Sequence, residues 1–279
     1  MPIAPVNMEE NMAKAKIALV AGKDSHGSGS HEHSAGCALF ADLLNRHVDG
    51  VDAVVYKGWP QTPEALEDIA AVVVYSDGGG GHPVIPHLEQ LDKLAAQGVG
   101  IMMMHYAVEV PTGEAGQRFL DWIGGYFETH WSVNPHWTAD FTEFPEHPIN
   151  NGMTPFSMED EWYYHMRFRE SMEGVTPLLS TVPPESTLTR PDGPHSGNPH
   201  VRKAVANKEP QHLGWCVERE DGGRGVGFTG GHYHDKWAVD QLRMFIINAI
   251  VWTAGLEVPE GGISTPKPTK EELDSYLPK

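Results

Sequence analysis

Cysteine is almost missing from this 279-residue chain, and its two copies, Cys37 and Cys216, allow one disulfide at most. Cys37 falls on the apolar face of a predicted helix with Phe40, Ala41 and Leu44. Cys216 lies in a predicted strand, residues 213–217, beside Trp215 and Val217. Both read as buried core thiols, not as a pair. Basic residues are also scarce. Lys and Arg number 20 against 38 Asp and Glu, a formal charge of −18, which excludes the basic footprint that nucleic acid or an anionic membrane requires. No apolar run approaches the length needed to cross a bilayer. Residues 1–16 are polar and lack the apolar core of a secretory signal. The expected compartment is the cytoplasm, a cleaved leader aside, and the expected partner is a small molecule, with self-association left open.

Histidine, in contrast, recurs in clusters placed just after short apolar runs. Residues 17–21 lead into GKDSHGSGSHEH (22–33), with His26, His31 and His33. Residues 99–104 end at His105, and residues 225–228 lead through Thr229 and two glycines to His232 and His234. If these runs are parallel strands, their imidazoles gather at the carboxyl ends, where open α/β sheets bind ligands. Imidazole is the commonest metal ligand and titrates near neutrality.

Strand and helix patterns alternate through the first half. Helices are expected over 35–47, about 86–97 and 113–123, and strands over 51–55, 69–75 and 99–104. This is the rhythm of a doubly wound, mostly parallel α/β sheet. From about residue 128 to 220 the rhythm breaks into an irregular excursion, expected to lie over the sheet's carboxyl edge. Within it, 183–211 is polar and proline-rich. It reads as a structureless loop covering the cleft, with Arg190, His195, His200 and Arg202. A strand over 225–228 and a helix carrying Leu242, Phe245, Ile246, Ala249 and Ile250 return the chain to the sheet. Thr269 and Glu272 form a capping-box signal in the tail. The organisation is read as an extension over 1–15, one domain over 16–255, and a tail over 256–279.

Several side chains are candidates for chemistry. His26, His33, His105 and His232 are expected to meet in one cleft, with His33, His105 and His232 as ligands of a divalent ion of zinc or manganese type. His31 is left out, since alternation should turn it away from its neighbours. His232 and His234 alternate too, so His234 is given only a substrate contact. Asp77, four glycines and His82 read as an open rim of the site. Glu159, Asp160 and Glu161 stand beside Trp162 and Tyr163, a pairing of carboxylates with aromatic faces that suits sugars. Asp160 or Glu161 is expected to be the general base or a metal ligand, its pKa raised by the aromatic surroundings. Glu109, one turn beyond His105, is the alternative base. His26, Tyr106, Trp162, Tyr163 and His234 are the expected substrate contacts.

Residues 22–33, MHYA (104–107), PFSMEDEWY (155–163) and GGRGVGFTGGH (222–232) occur in this order. In these motifs the chain, from about residue 16 to 255, resembles the trehalose-utilisation (ThuA-like) family. That resemblance implies a fold related to class I glutamine amidotransferases, a three-layer α/β sandwich with a flavodoxin-like sheet, and a role in disaccharide catabolism, on 3-keto sugars. Amidotransferases need a cysteine at the strand-to-helix elbow. His105 stands at that position here, so Cys-dependent glutaminase chemistry is excluded. Two readings follow. One is a metal-assisted lyase or hydrolase that enolises a glycoside or 3-keto glycoside. The other is a non-catalytic sugar-binding or regulatory protein on a degenerate amidotransferase fold.

Overall fold

Side chains buried on alternate faces of one strand set the layers of the molecule. In β1 (Ala15–Ala21), Ile17, Leu19 and Ala21 join one core, and Ala18 and Val20 the other. The structure, a computed structural model, describes residues 14–278; of the expected 1–15 extension, residues 1–13 lie outside the described residues. After β1 come α1 (His33–His47), β2 (Val51–Lys57), β3 (Ile69–Tyr75), α2 (Leu88–Ala95), β4 (Gly100–Met104) and α3 (Glu114–Ile123). The middle of the chain holds β5 (Gly125–Tyr126), β6 (His136–Phe141), β7 (Phe156–Glu161), β8 (Arg167–Phe168), β9 (Val175–Thr181) and α4 (Pro199–Ala206). It ends with β10 (Gln211–Glu218), β11 (Arg224–Phe228), α5 (Asp240–Thr253) and α6 (Lys270–Tyr276).

Seven strands form the central sheet in the order β2-β1-β3-β4-β11-β10-β9. The first five are parallel; β10 runs antiparallel to both neighbours. Helices α1 and α5 pack on one face and α2 and α3 on the other, giving the expected three-layer α/β sandwich. Close packing on the α5 side depends on Gly100, where an added Cβ would fall 1.9 Å from the Thr253 carbonyl oxygen. The excursion is smaller than its expected span of 128–220, because β9 and β10 belong to the main sheet. What remains outside comprises two short antiparallel pairs, β5–β8 and β6–β7, plus α4.

The stretch 183–211 is not structureless. Residues Glu185–Leu188 form a 3₁₀ turn and α4 follows, its N-terminus capped by the Asn198 side chain accepting from the Val201 amide. Eight residues give too little periodicity to stand out among prolines. The tail is likewise pinned. The buried Arg243 guanidinium donates to the Thr265 carbonyl and hydroxyl and to the Trp237 carbonyl, and the Thr269–Glu272 capping box is formed. No helix among the described residues is long and apolar enough to cross a membrane.

His82, read from sequence as part of an open rim, is instead buried against Phe119. It bonds the Ala107 carbonyl through Nε2 and accepts the Val84 amide at Nδ1. Burial pushes its pKa down from 6.5 to about 4, a preference for the neutral form of about 3 kcal/mol. Above pH 6.5 both folded and unfolded chains keep it neutral. Between 6.5 and 4 the unfolded chain takes the proton first, so stability falls as pH falls. His82→Gln is expected to flatten the loss of urea-unfolding free energy over this window by up to about that amount. An unchanged slope would contradict the assignment.

Candidate functional site

The loops after β1, β3, β4 and β11 meet over the carboxyl edge of the sheet, around the reversal of strand order between β1 and β3. That is where doubly wound sheets take their ligands. His105 is the first residue past β4 and has a φ of +56°, a left-handed turn that lifts its ring above the strand. His31, with a φ of +47°, folds back so that its amide bonds the His232 carbonyl at 2.9 Å. Glu161 comes from the other direction, at the end of β7 and opposite His136 in the β6–β7 pair. The left-handed backbone at two bulky residues carries strain, which folds retain chiefly at functional positions.

These four side chains, all buried, converge. His31 Nε2 lies 3.0 Å from His232 Nδ1 and 3.1 Å from His105 Nε2. Glu161 Oε2 lies 3.0 Å from His232 Nδ1, 3.6 Å from His105 Nε2 and 3.9 Å from His31 Nε2. Donor atoms around a tetrahedral zinc ion, with bonds of 2.0–2.2 Å, are separated by roughly 3.3–3.6 Å. The set brackets that spacing.

The outward-facing nitrogens define the protonation. His105 Nδ1 bonds the Thr229 carbonyl at 2.9 Å and His31 Nδ1 bonds Asp77 Oδ1 at 2.7 Å, so both Nδ1 atoms donate. In the neutral tautomers each Nε2 then points a lone pair at the other, 3.1 Å away. A proton or a cation must lie between them. These partners are also those that orient metal-bound histidines, and Asn134 Nδ2 fixes the remaining Glu161 oxygen at 3.0 Å.

The electrostatics agree. Burial disfavours the Glu161 anion, but hydrogen bonds from His232 and His31 outweigh it and hold the carboxyl well below the ordinary range. Burial would also lower His31, yet bonds to Asp77 and Glu161 raise it. His105, fully buried and beside His31, is pushed well below 6.5. Tyr163 closes the far side, its hydroxyl 3.3 Å from His105 Nε2 and 3.2 Å from Glu161 Oε2. Next to the cluster, Glu109 is buried and both its oxygens lie 3.0 Å from His195 Nε2.

A family model described as "ThuA: Trehalose utilisation" matches residues 18–253. The chain belongs to the ThuA family. A solved ThuA-like protein from Bacteroides uniformis is 17% identical over 87% of this chain and 92% of its own, with a TM-score of 0.62. Another, from Parabacteroides merdae, is 12% identical over 95% of this chain and 100% of its own, at 0.59. A glutamine amidotransferase from Thermotoga maritima reaches 0.42 at 8% identity, covering 86% and 96%. No curated protein matches.

In this ThuA-family chain His105, His232 and Glu161 stand together as the sequence suggested, but His33 does not join them. Its Nδ1 bonds the Lys23 carbonyl and its Nε2 lies 3.8 Å from Asp77 Oδ1. His31 takes its place. The alternation argument assumed extended backbone, whereas the left-handed turn at His31 rotates that ring inward. His26 sits at the exposed rim, its ring centroid 3.9 Å from that of His31. Tyr106, half-buried, lies beside His31 and Tyr163.

Three other expected site residues, the substrate contacts Trp162 and His234 and the candidate base Asp160, hold structure. Trp162 is fully buried, packs on Phe228 and Phe141, and donates to the Met158 carbonyl. His234 is buried away from the cluster and bonds the Leu273 carbonyl. Asp160 accepts the amides of Glu161, Gly231 and His232 at 2.7–3.1 Å. Burial pushes its pKa up to about 6 against those three bonds, and with both oxygens bonded and no exposed surface it shapes the 231–232 turn and does not face the cleft as the expected base would. Glu161, whose carboxyl was expected to rise, is held down by its imidazoles.

Of the four residues named for a lid, only His195 reaches the site. Arg190 braces it through Asn134 and the His195 carbonyl, Arg202 ties back to Asp192 and Leu188, and His200 stacks on Trp131. Sequence reasoning missed Asn134 and His136, which sit in the WSVNPHW stretch without any strand-end signal. Gly78, in the glycine run, is needed for a close approach, since a Cβ there would fall 2.2 Å from the Tyr106 carbonyl oxygen.

Proposed function

We propose that His31, His105, His232 and Glu161 hold one divalent ion, and that this chain is a metal-assisted lyase or hydrolase acting on a glycoside that carries a carbonyl group. The observation that carries the reading is the pair of Nε2 lone pairs facing each other at 3.1 Å, closed by a carboxylate and a third imidazole. Three imidazoles and a carboxylate suit zinc or manganese. Such an ion, when bound, acts as a Lewis acid toward a carbonyl oxygen. Membership of the trehalose-utilisation family supports a sugar as substrate, and the 3-keto glycosides are the class in which such polarisation acidifies a C–H bond.

The chain's own groups fit that class. Asp77, His26 and His136 border the cluster with hydrogen-bonding atoms suited to hydroxyl groups. Tyr106 offers an aromatic face. The test is to incubate the metal-analysed protein with trehalose and with methyl 3-keto-α-D-glucopyranoside, with and without chelator, and follow both sugars by NMR. Metal-dependent consumption of the keto sugar is expected. Saturable binding of either sugar without turnover would favour a binding module instead.

A further inference from the structure

We propose that His195, held by Glu109, is the proton-transferring residue of this centre, acting as general base toward the carbon acid of a keto sugar and then as general acid toward its leaving oxygen. The inference deepens the reading above and rests on it. Glu109 is 4% exposed, and the His195 imidazole is its partner through both oxygens at 3.0 Å. Because Nε2 faces a carboxylate, it carries the hydrogen, and the neutral ring presents its lone pair at Nδ1. That nitrogen has no partner among the described residues and is open to solvent. A buried carboxylate that fixes an imidazole's tautomer and orientation, leaving the other nitrogen free, is the arrangement in which histidine moves protons.

The position is fixed as firmly as the tautomer. The His195 carbonyl accepts the Asn134 amide at 3.2 Å and the Arg190 guanidinium at 3.1 Å. Asn134 in turn holds Glu161 at 3.0 Å, so one residue links the His195 backbone to the cluster. The ring packs against Phe127, which packs on Tyr163, which packs on His105. Glu109 and Glu161 favour the charged ring, burial and Arg190 oppose it, and the balance raises its pKa. Of the other carboxylates near the cluster, Asp160 is committed to three amides and Glu161 to the imidazoles, while Asp77 orients His31 and accepts from Ser25 through Oδ1.

The step balances without a co-reactant. His195 Nδ1 takes the proton from the carbon beside the ketone. The C–H electron pair becomes a carbon–carbon double bond as the carbonyl π pair moves onto oxygen, giving an enolate. Return of that pair expels the glycosidic oxygen on the neighbouring carbon, which receives the proton from His195. The products are an enone and a free alcohol or sugar.

The experiment uses the full chain loaded with zinc or manganese and methyl 3-keto-α-D-glucopyranoside in D₂O. NMR follows deuterium entry beside the ketone and release of methanol, and metal per chain is measured in each sample. His195→Gln is expected to slow exchange by about 10²–10⁴-fold while bound metal stays at the wild-type level. Glu109→Gln is expected to slow it less and to move the acidic limb of the pH profile, where His195 loses its proton, to lower pH, a shift that a merely structural role would not produce. Full exchange in His195→Gln, with wild-type protein active, overturns the proposal and leaves the metal reading standing. A metal-loaded wild-type protein that neither exchanges nor cleaves this sugar overturns both.

Discussion

If the proposed centre holds a divalent ion, His105→Ala is expected to lower it from about one per chain to less than about a tenth after dialysis, and to abolish chemistry that depends on it. Its Nε2 stands 3.1 Å from His31 Nε2 and 3.6 Å from Glu161 Oε2, so its removal opens one whole side of the cluster. The same variant keeps a Cβ on a backbone with a φ of +56° and empties a fully buried position. Its metal-free stability is therefore the necessary control. Comparison with wild type that has been stripped by chelator separates loss of ligand from loss of packing. Elemental analysis of both samples decides it. A His105→Ala protein that retains stoichiometric metal would defeat the four-ligand centre.

Trp162→Ala is expected to cost about 3–5 kcal/mol of stability, in the range for truncating a buried aromatic side chain. The indole fills space against Phe228, Phe141 and the backbone at Gly230, where a mere Cβ would fall 2.4 Å from its ring. Chemical denaturation should show the loss as a lower midpoint with little change in slope. Trp162→Phe, which keeps most of the packing, should leave sugar affinity unaltered. A large drop in affinity with unchanged stability would restore the sugar-stacking role that its place in the sequence first suggested.

The parts of the fold that were legible in the sequence are those where one physical requirement dominates. Residues 69–75 form an unbroken apolar run because β3 is buried on both faces, and the run marks the strand to the residue. In contrast, β9 is hidden by Pro177. An edge strand tolerates that proline where a central one would not, and the pairing of β9 with β10 shifts register near it. The site divides in the same way. His105 and His232 could be found because each follows a strand of plain apolar character. His31 could not, because its inward direction depends on a left-handed backbone angle that no periodicity encodes. The partnership of Glu109 with His195 joins residues 86 positions apart, and only the folded loop brings them together.

The place of β11 in the sheet has a consequence for how the molecule is made. It is the last strand of the sheet to leave the ribosome, yet it lies between β4 and β10, in the interior. Until residues 224–228 emerge, β4 and β10 each present an open hydrogen-bonding edge, the kind of surface on which nascent chains pair wrongly. His232 follows four residues later, so the imidazole that completes the cluster arrives only after the strand that closes the sheet. A nascent chain thus acquires the full cluster of His31, His105, Glu161 and His232 only when its architecture is nearly finished. Truncations that end before residue 224 should aggregate, whatever metal is supplied.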